Sequence, residues 1–271
     1  MAQVAVPGTK ARPRTRPKPR RGVLGVLREM RREWTAYLMN APGMILFGTF
    51  IIYAVLVALW ISFHEWDLIE PDRPFIGLDN YREILADGAF WAAIGHTVYL
   101  TVGSVIPAMA IGLGLAILLN TQLRALGLFR AMYYLPAITP LVVAAIIWKR
   151  IYNTDYGLAN YLLLRLHLVD QPVQWLGSRH LAMPAVIVMG VWISVGFNMV
   201  VYLAGLQAVP AELYEAAEVD GANAWQRFRR ITFPLVAPTT FFLLIFQTIL
   251  GMQAFDQIFV MTNGGPPGPG G

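Results

Sequence analysis

The sequence predicts an all-α integral membrane fold with five transmembrane helices. Hydrophobic residues fill 56% of its 271 positions and charged residues 14%, too oily a balance for a soluble domain of this length. Five stretches contain no Asp, Glu, Lys or Arg and are long enough to cross a hydrocarbon layer. They are Gly43–Phe63, Ala92–Leu119, Ala131–Trp148, Leu181–Ala211 and Ile231–Phe255. The second is longer than a span needs and is expected to enter the bilayer near Gly95. The fourth is expected to end near Leu206.

Ahead of the first span lies a basic segment. Ten of the 21 basic residues fall between Lys10 and Arg32. Pro7, Pro13, Pro17 and Pro19 stand among them, so the tail is expected to be disordered up to about Gly22. Its expected role is to hold the N-terminus in the cytoplasm rather than to bind nucleic acid. The apolar run from Gly43 is too long for a signal peptide and no small-residue cleavage pattern follows it. The chain thus divides into a basic tail and pre-membrane segment at 1–40, a membrane domain at 41–260, and an external Gly/Pro tail at 261–271.

With the N-terminus inside, the loops alternate. Residues 64–91 fall outside, with seven acids against Arg73 and Arg82. The turn Asn120–Arg130 falls inside with Arg124 and Arg130 and no acid. Residues 149–180 fall outside, and the segment 207–234 falls inside with Arg227, Arg229 and Arg230. Fifteen basic residues are then internal and six external, as the positive-inside rule requires. Lys149 and Arg150 are expected to snorkel from the end of the third span. Tyr133, Tyr134, Trp148, Tyr152 and Trp175 fit as interfacial anchors.

Between Leu206 and Leu235 a polar hairpin separates the fourth and fifth stretches. Pro210 suits the first turn of a helix, where a missing N–H is no loss. Glu212 and Glu215 follow where the helix dipole favours negative charge. Gly221 supplies the left-handed conformation that ends a helix. A second short helix is expected over Ala222–Ile231, carrying Trp225 and Phe228 on one face, with Pro234 closing it. Composition alone favours an ordinary amphipathic connector lying on the membrane surface.

The spacing is more specific than the composition. Glu215, Ala216, Ala217, Asp220, Gly221, Ala222, Phe228, Ile231, Pro234 and Leu235 resemble the EAA loop of binding-protein-dependent ABC importers, the segment that docks a permease on its ATPase. Gly77-Leu78-Asp79-Asn80-Tyr81 is similar to the GLxNY signature of the sugar-class permeases. Arg130–Trp148 resembles their third span and Asp155-Tyr156-Gly157-Leu158-Ala159-Asn160 the turn after it. Met261-Thr262-Asn263-Gly264-Gly265-Pro266 resembles the external loop after the fifth span. The resemblance covers roughly Pro42 to Pro266 and is nearest to permeases for maltose-type sugars and glycerol-3-phosphate.

What the resemblance implies is a type I ABC importer permease fold in the plasma (inner) membrane of a bacterium. The implied cargo is a sugar, polyol or sugar phosphate. The implied partners are a second permease subunit in a heterodimer, an ATP-binding subunit dimer, an external solute-binding protein and membrane lipid, with no nucleic acid. No cofactor is expected in this chain, because ATP is hydrolysed by the partner. Glu215, Ala216, Ala217, Asp220, Gly221 and Ala222 are the implied ATPase-docking residues. In that family one more membrane helix follows the Gly-Gly-Pro loop, whereas here a Pro/Gly run reaches Gly271. A natural five-span permease, an artificially shortened chain and a frameshifted or incomplete gene product are all open, and the incomplete product is the expectation.

No constellation supports catalysis. The chain has no cysteine, and His64, His96, His167 and His180 form no i, i+4 pair that would hold zinc. No Walker A loop is present, so the energy must be borrowed. A sugar needs hydrogen-bonding groups and an aromatic face in a water-lined cavity. Trp192, Ser194 and Asn198 in the fourth span and Gln247, Thr248 and Gln253 in the fifth are the candidates for a substrate pathway. Hydrogen bonding between helices is the alternative for each. The lack of charge in both spans speaks against a strongly ionic substrate. A secondary transporter would carry ionisable residues within its spans, and only His96 is available. A truncated, non-functional permease is the remaining alternative.

Overall fold

The computed structural model describes residues 34–67, 72–120 and 126–265. The basic tail, Glu70, Arg124 and the run from Pro266 onward lie outside the described residues. Among the described residues the fold is helical, with no strand beyond an isolated bridge between His64 and Phe75. Two compact units divide at Ala86.

In the first unit, helix α1 (Trp34–Ile61) begins ahead of the charge-free stretch and runs through Pro42. A π-helical turn at Gly48–Tyr53 interrupts it. None of its residues is buried, as suits a helix whose solvent is lipid or another apolar surface. Helix α2 (Asp79–Ala86) is tied back to the end of α1 by the signature residues. Asn80 Nδ2 donates to the carbonyls of Ser62 at 3.0 Å and His64 at 3.1 Å. The Tyr81 and Ser62 hydroxyls meet at 2.7 Å. Gly77 takes φ +64° at the turn between them, a conformation glycine adopts without strain.

The second unit is built on α3 (Gly88–Leu119) and α7 (Ala182–Gln207). Asp87 caps α3 by accepting from the Ala89 N–H at 2.8 Å. A Cβ on Gly103 would strike Ile187, and one on Gly112 would lie 2.7 Å from Asn198 Cβ. These pairings advance together, so the two helices run parallel and close. A chain that leaves one parallel span and enters the next must cross the membrane between them. Helices α4 (Leu126–Ile138) and α5 (Leu141–Ile151) make that crossing with a 96° bend. The span expected over Ala131–Trp148 is present as a broken one. Pro140 causes the break: it offers no N–H and drives Thr139 away from helical geometry. Thr139 satisfies the freed carbonyls, its N–H going to Pro136 and its Oγ1 to Leu135, both at 3.1 Å.

After α5 the loop turns on Asn160, in α6 (Leu158–Arg165). This buried amide donates to the Thr154 and Val173 carbonyls and accepts from the Val173 N–H and Trp175 Nε1. Beyond α7 come α8 (Ala211–Val219), α9 (Ala224–Leu235) and α10 (Ala237–Met252), the last two bent by 61° at Val236. Pro234 lies inside α9 and does not close it. The break falls instead between Pro234 and Pro238, after a π-helical turn at Phe228–Thr232. Helix α11 (Asp256–Thr262) was not legible in the sequence and extends the ordered core past residue 260. Lys149 holds it to α5, donating to the Val260 carbonyl at 2.9 Å.

Two buried clusters result. At the elbow end Val105, Met109 and Leu119 pack with Met199, Tyr202, Leu206 and Leu243. At the other end Leu100, Ala144, Ala145, Val186, Met189 and Met261 pack together. Helix α4 crosses α7 at Gly196, where a Cβ would lie 2.2 Å from the Tyr133 carbonyl oxygen. Gly196→Ala is expected to destabilise the fold by roughly 1–3 kcal/mol through overpacking. Gly114→Ala, where nothing lies within 4 Å of the new Cβ, stays within about 1 kcal/mol of wild type. Thermal denaturation in mild detergent reads both.

Candidate functional site

A cavity of about 330 Å³ opens where the two clusters meet, walled by α3, α7 and the end of α10 with the turn into α11. Volumes of this order hold small ligands. Its polar lining is Thr101, Ser104, Ser194, Gln247, Gln253, Asp256 and Gln257. Thr101 Oγ1 and Gln257 Oε1 are buried with no hydrogen-bond partner among the described residues. A buried polar atom without a partner is costly, and both atoms sit within the wall of the cavity rather than on its surface. Gly251 makes the room: a Cβ there would strike the Thr101 side chain at 2.8 Å.

Three of the six residues picked from the sequence line this cavity, namely Ser194, Gln247 and Gln253. Asn198, Trp192 and Thr248 do not. Asn198 is fully buried and accepts from Gln247 Nε2 at 2.7 Å, joining α7 to α10. Trp192 packs edge-on against Trp148, ring centroids 5.7 Å apart, in an aromatic chain that continues through Tyr152 to Trp175. Sequence reasoning missed Thr101, Ser104, Asp256 and Gln257. The first two share one face of α3 at i, i+3; the last two fall just past the charge-free run.

At the far end of α7 the elbow divides its motif residues between two jobs. Gly221 has φ +75°. Its N–H bonds the Glu218 carbonyl and the Ala222 N–H the Ala217 carbonyl, at 3.0 and 2.9 Å, the double closure of a Schellman turn. Ala217, Gly221 and Ala222 thus build the corner. Glu215, Ala216 and Asp220 stand exposed on it. Asn223 opens α9 with a reciprocal capping box to Gln226, worth about 1 kcal/mol. Trp225 stacks on Phe228 at 5.5 Å. The Tyr214 and Thr232 hydroxyls meet at 3.0 Å and Arg227 reaches Glu218 at 3.3 Å, so the hairpin is clipped on two sides.

A helical bundle that crosses the membrane repeatedly, lines a cavity with hydroxyl and amide groups and presents a polar corner at one end is a membrane transport component. Residues 89–268 match the family described as binding-protein-dependent transport system inner membrane component, and the chain belongs to that family. It is a permease, not an enzyme. Over 232 residues it is 40% identical to the trehalose/maltose transport system permease protein MalF of Thermococcus litoralis, covering 86% of this chain and 78% of that protein. It is 34% identical over 234 residues to the arabinooligosaccharides transport system permease protein AraP of Bacillus subtilis, covering 86% and 73%. Its fold matches a bacterial ABC transporter involved in the import of the acidic polysaccharide alginate, with TM-score 0.73, 26% identity, and 88% and 80% coverage. The type I ABC importer permease fold implied by the elbow is the observed one.

The Asn198–Gln247 bond is expected to contribute about 0.6–1.7 kcal/mol. A double-mutant cycle of Asn198→Ala and Gln247→Ala, read by thermal denaturation in detergent, measures it. Simple additivity of the two single effects would mean no net bond.

Proposed function

We propose that this chain is one of two permease subunits of an ATP-driven importer that carries a sugar, or a related polyol or sugar phosphate, across the inner membrane. The observation that carries the proposal is the cavity. Its hydroxyl- and amide-bearing lining matches the alternating donors and acceptors of a polyhydroxylated ligand. The relatives' names agree on carbohydrate and differ on its charge. A second permease is the proposed partner that completes the translocation path.

The elbow is the proposed seat of the ATPase, with the N-terminus on the same, cytoplasmic side. Glu215 and Asp220 project from a corner held by its own backbone bonds, so a push on them moves α8 and α9 together. Helix α9 passes that motion to α10, which carries Gln247 into the cavity. Closure of an ATP-binding dimer would in this way shift the cavity between outward and inward access. A solute-binding protein delivers the sugar to the opposite end, and no cofactor is held by this chain.

Affinity purification from native membranes in mild detergent, followed by mass spectrometry, tests the assembly. Recovery of an ATPase and a second permease is expected; recovery of this chain alone from intact membranes would overturn it. Asp220→Arg is expected to lower ATP-driven uptake about tenfold, the loss of a charge-assisted hydrogen bond. Membrane insertion stays unchanged, since the side chain is exposed. Normal uptake by that variant would contradict the docking role.

A further inference from the structure

A second cavity, about 360 Å³, lies at the end of α3 and α7 farthest from the elbow. His96 and Thr97 enter it from α3, Arg179 from the turn before α7, and Thr262 from α11. No carboxylate lines it among the described residues. Among the described residues Arg179 has no ion pair either, and its side chain and that of His96 are open to solvent. A guanidinium with no carboxylate on the same wall, beside an exposed imidazole, fits an oxyanion: its fork meets a carboxylate, sulfonate or phosphate with two parallel N–H donors. The Thr97 and Thr262 hydroxyls donate to the Ala93 and Ile258 carbonyls of their own helices.

The two cavities are neighbours. Val186 belongs to the walls of both. Thr97 faces the outer one and Thr101 the inner one, a single turn apart on α3, about 6 Å. Their charge differs in sign, because Asp256 lines the inner cavity.

We propose that the outer cavity holds the anionic group of an acidic sugar while its neutral, hydroxyl-bearing body lies toward Thr101 and Gln247. The inference rests on the sugar-permease reading and narrows it to sugars that carry a carboxylate, sulfonate or phosphate. Asp256 orders the ligand by repelling an anion from the inner cavity. Arg179 lies between spans, so the lack of charge within them does not bear on this site.

The test measures uptake of radiolabelled neutral oligosaccharides and their uronate counterparts by the complete transporter in native membrane vesicles. Arg179→Gln is expected to lower uronate uptake about tenfold, the effect of one charged hydrogen-bonding group, with neutral uptake unchanged and Arg179→Lys restoring part of the loss. Equal loss of both sugars, with weaker attachment of the purified solute-binding protein, would give Arg179 to a carboxylate of that protein and overturn the proposal. So would uronate uptake indifferent to Arg179→Gln. Uptake of neutral sugars alone overturns the proposal and leaves the sugar-permease reading standing; uptake of no sugar in the panel overturns both.

Discussion

The parallel contact of α3 with α7 is the constraint on which the rest of the second unit depends. Lipid supplies no hydrophobic drive between helices, so they hold together by close packing. Here small residues allow it: Gly103 accepts Ile187, and Gly112 sits against the backbone of Asn198 and Met199. Because the two run the same way, the intervening chain is obliged to return across the membrane. Helix α10 then lies antiparallel to both, with Gly251 against Thr101 and Thr239 against Gly205. Each cavity wall follows from that order.

Much of this order was legible in the sequence. Charge-free runs mark spans because a charge in hydrocarbon is expensive, and all five runs became helix. The breaks were not legible in the same way. Pro140 and Pro238 barely alter the hydropathy of their runs, yet each removes a donor and clashes with the preceding turn. Helix α11 was hidden because Asp256 interrupts an apolar stretch, although Met261 beyond it is buried. The signature around Asn80 and Tyr81 was readable as a pattern, while its work as a tether to Ser62 and His64 depends on a fold-back that no local period reveals.

The site was half legible for a similar reason. Amides within spans draw attention because they need partners. Gln247 found one partner in Asn198 and still faces the cavity, whereas Asn198 spends its oxygen on that bond. Hydroxyls such as Thr101 attract less notice, since a helical Thr can bond its own preceding turn. Thr101 Oγ1 makes no such bond, and only the packing of Gly251 shows why it points elsewhere. In the elbow the motif spacing was fully readable. Its division into corner-builders and outward-facing residues follows from the φ of one glycine.

The bend at Val236 changes what the elbow can transmit. A rigid straight helix would carry an axial push to the membrane as pure translation along its own length. With α9 and α10 set at 61°, the same push resolves more across α10 than along it. Under the proposed coupling α10 would be displaced sideways, the direction in which a wall opens or shuts rather than slides. Two prolines spaced four residues apart would, under that coupling, turn a piston into a crank.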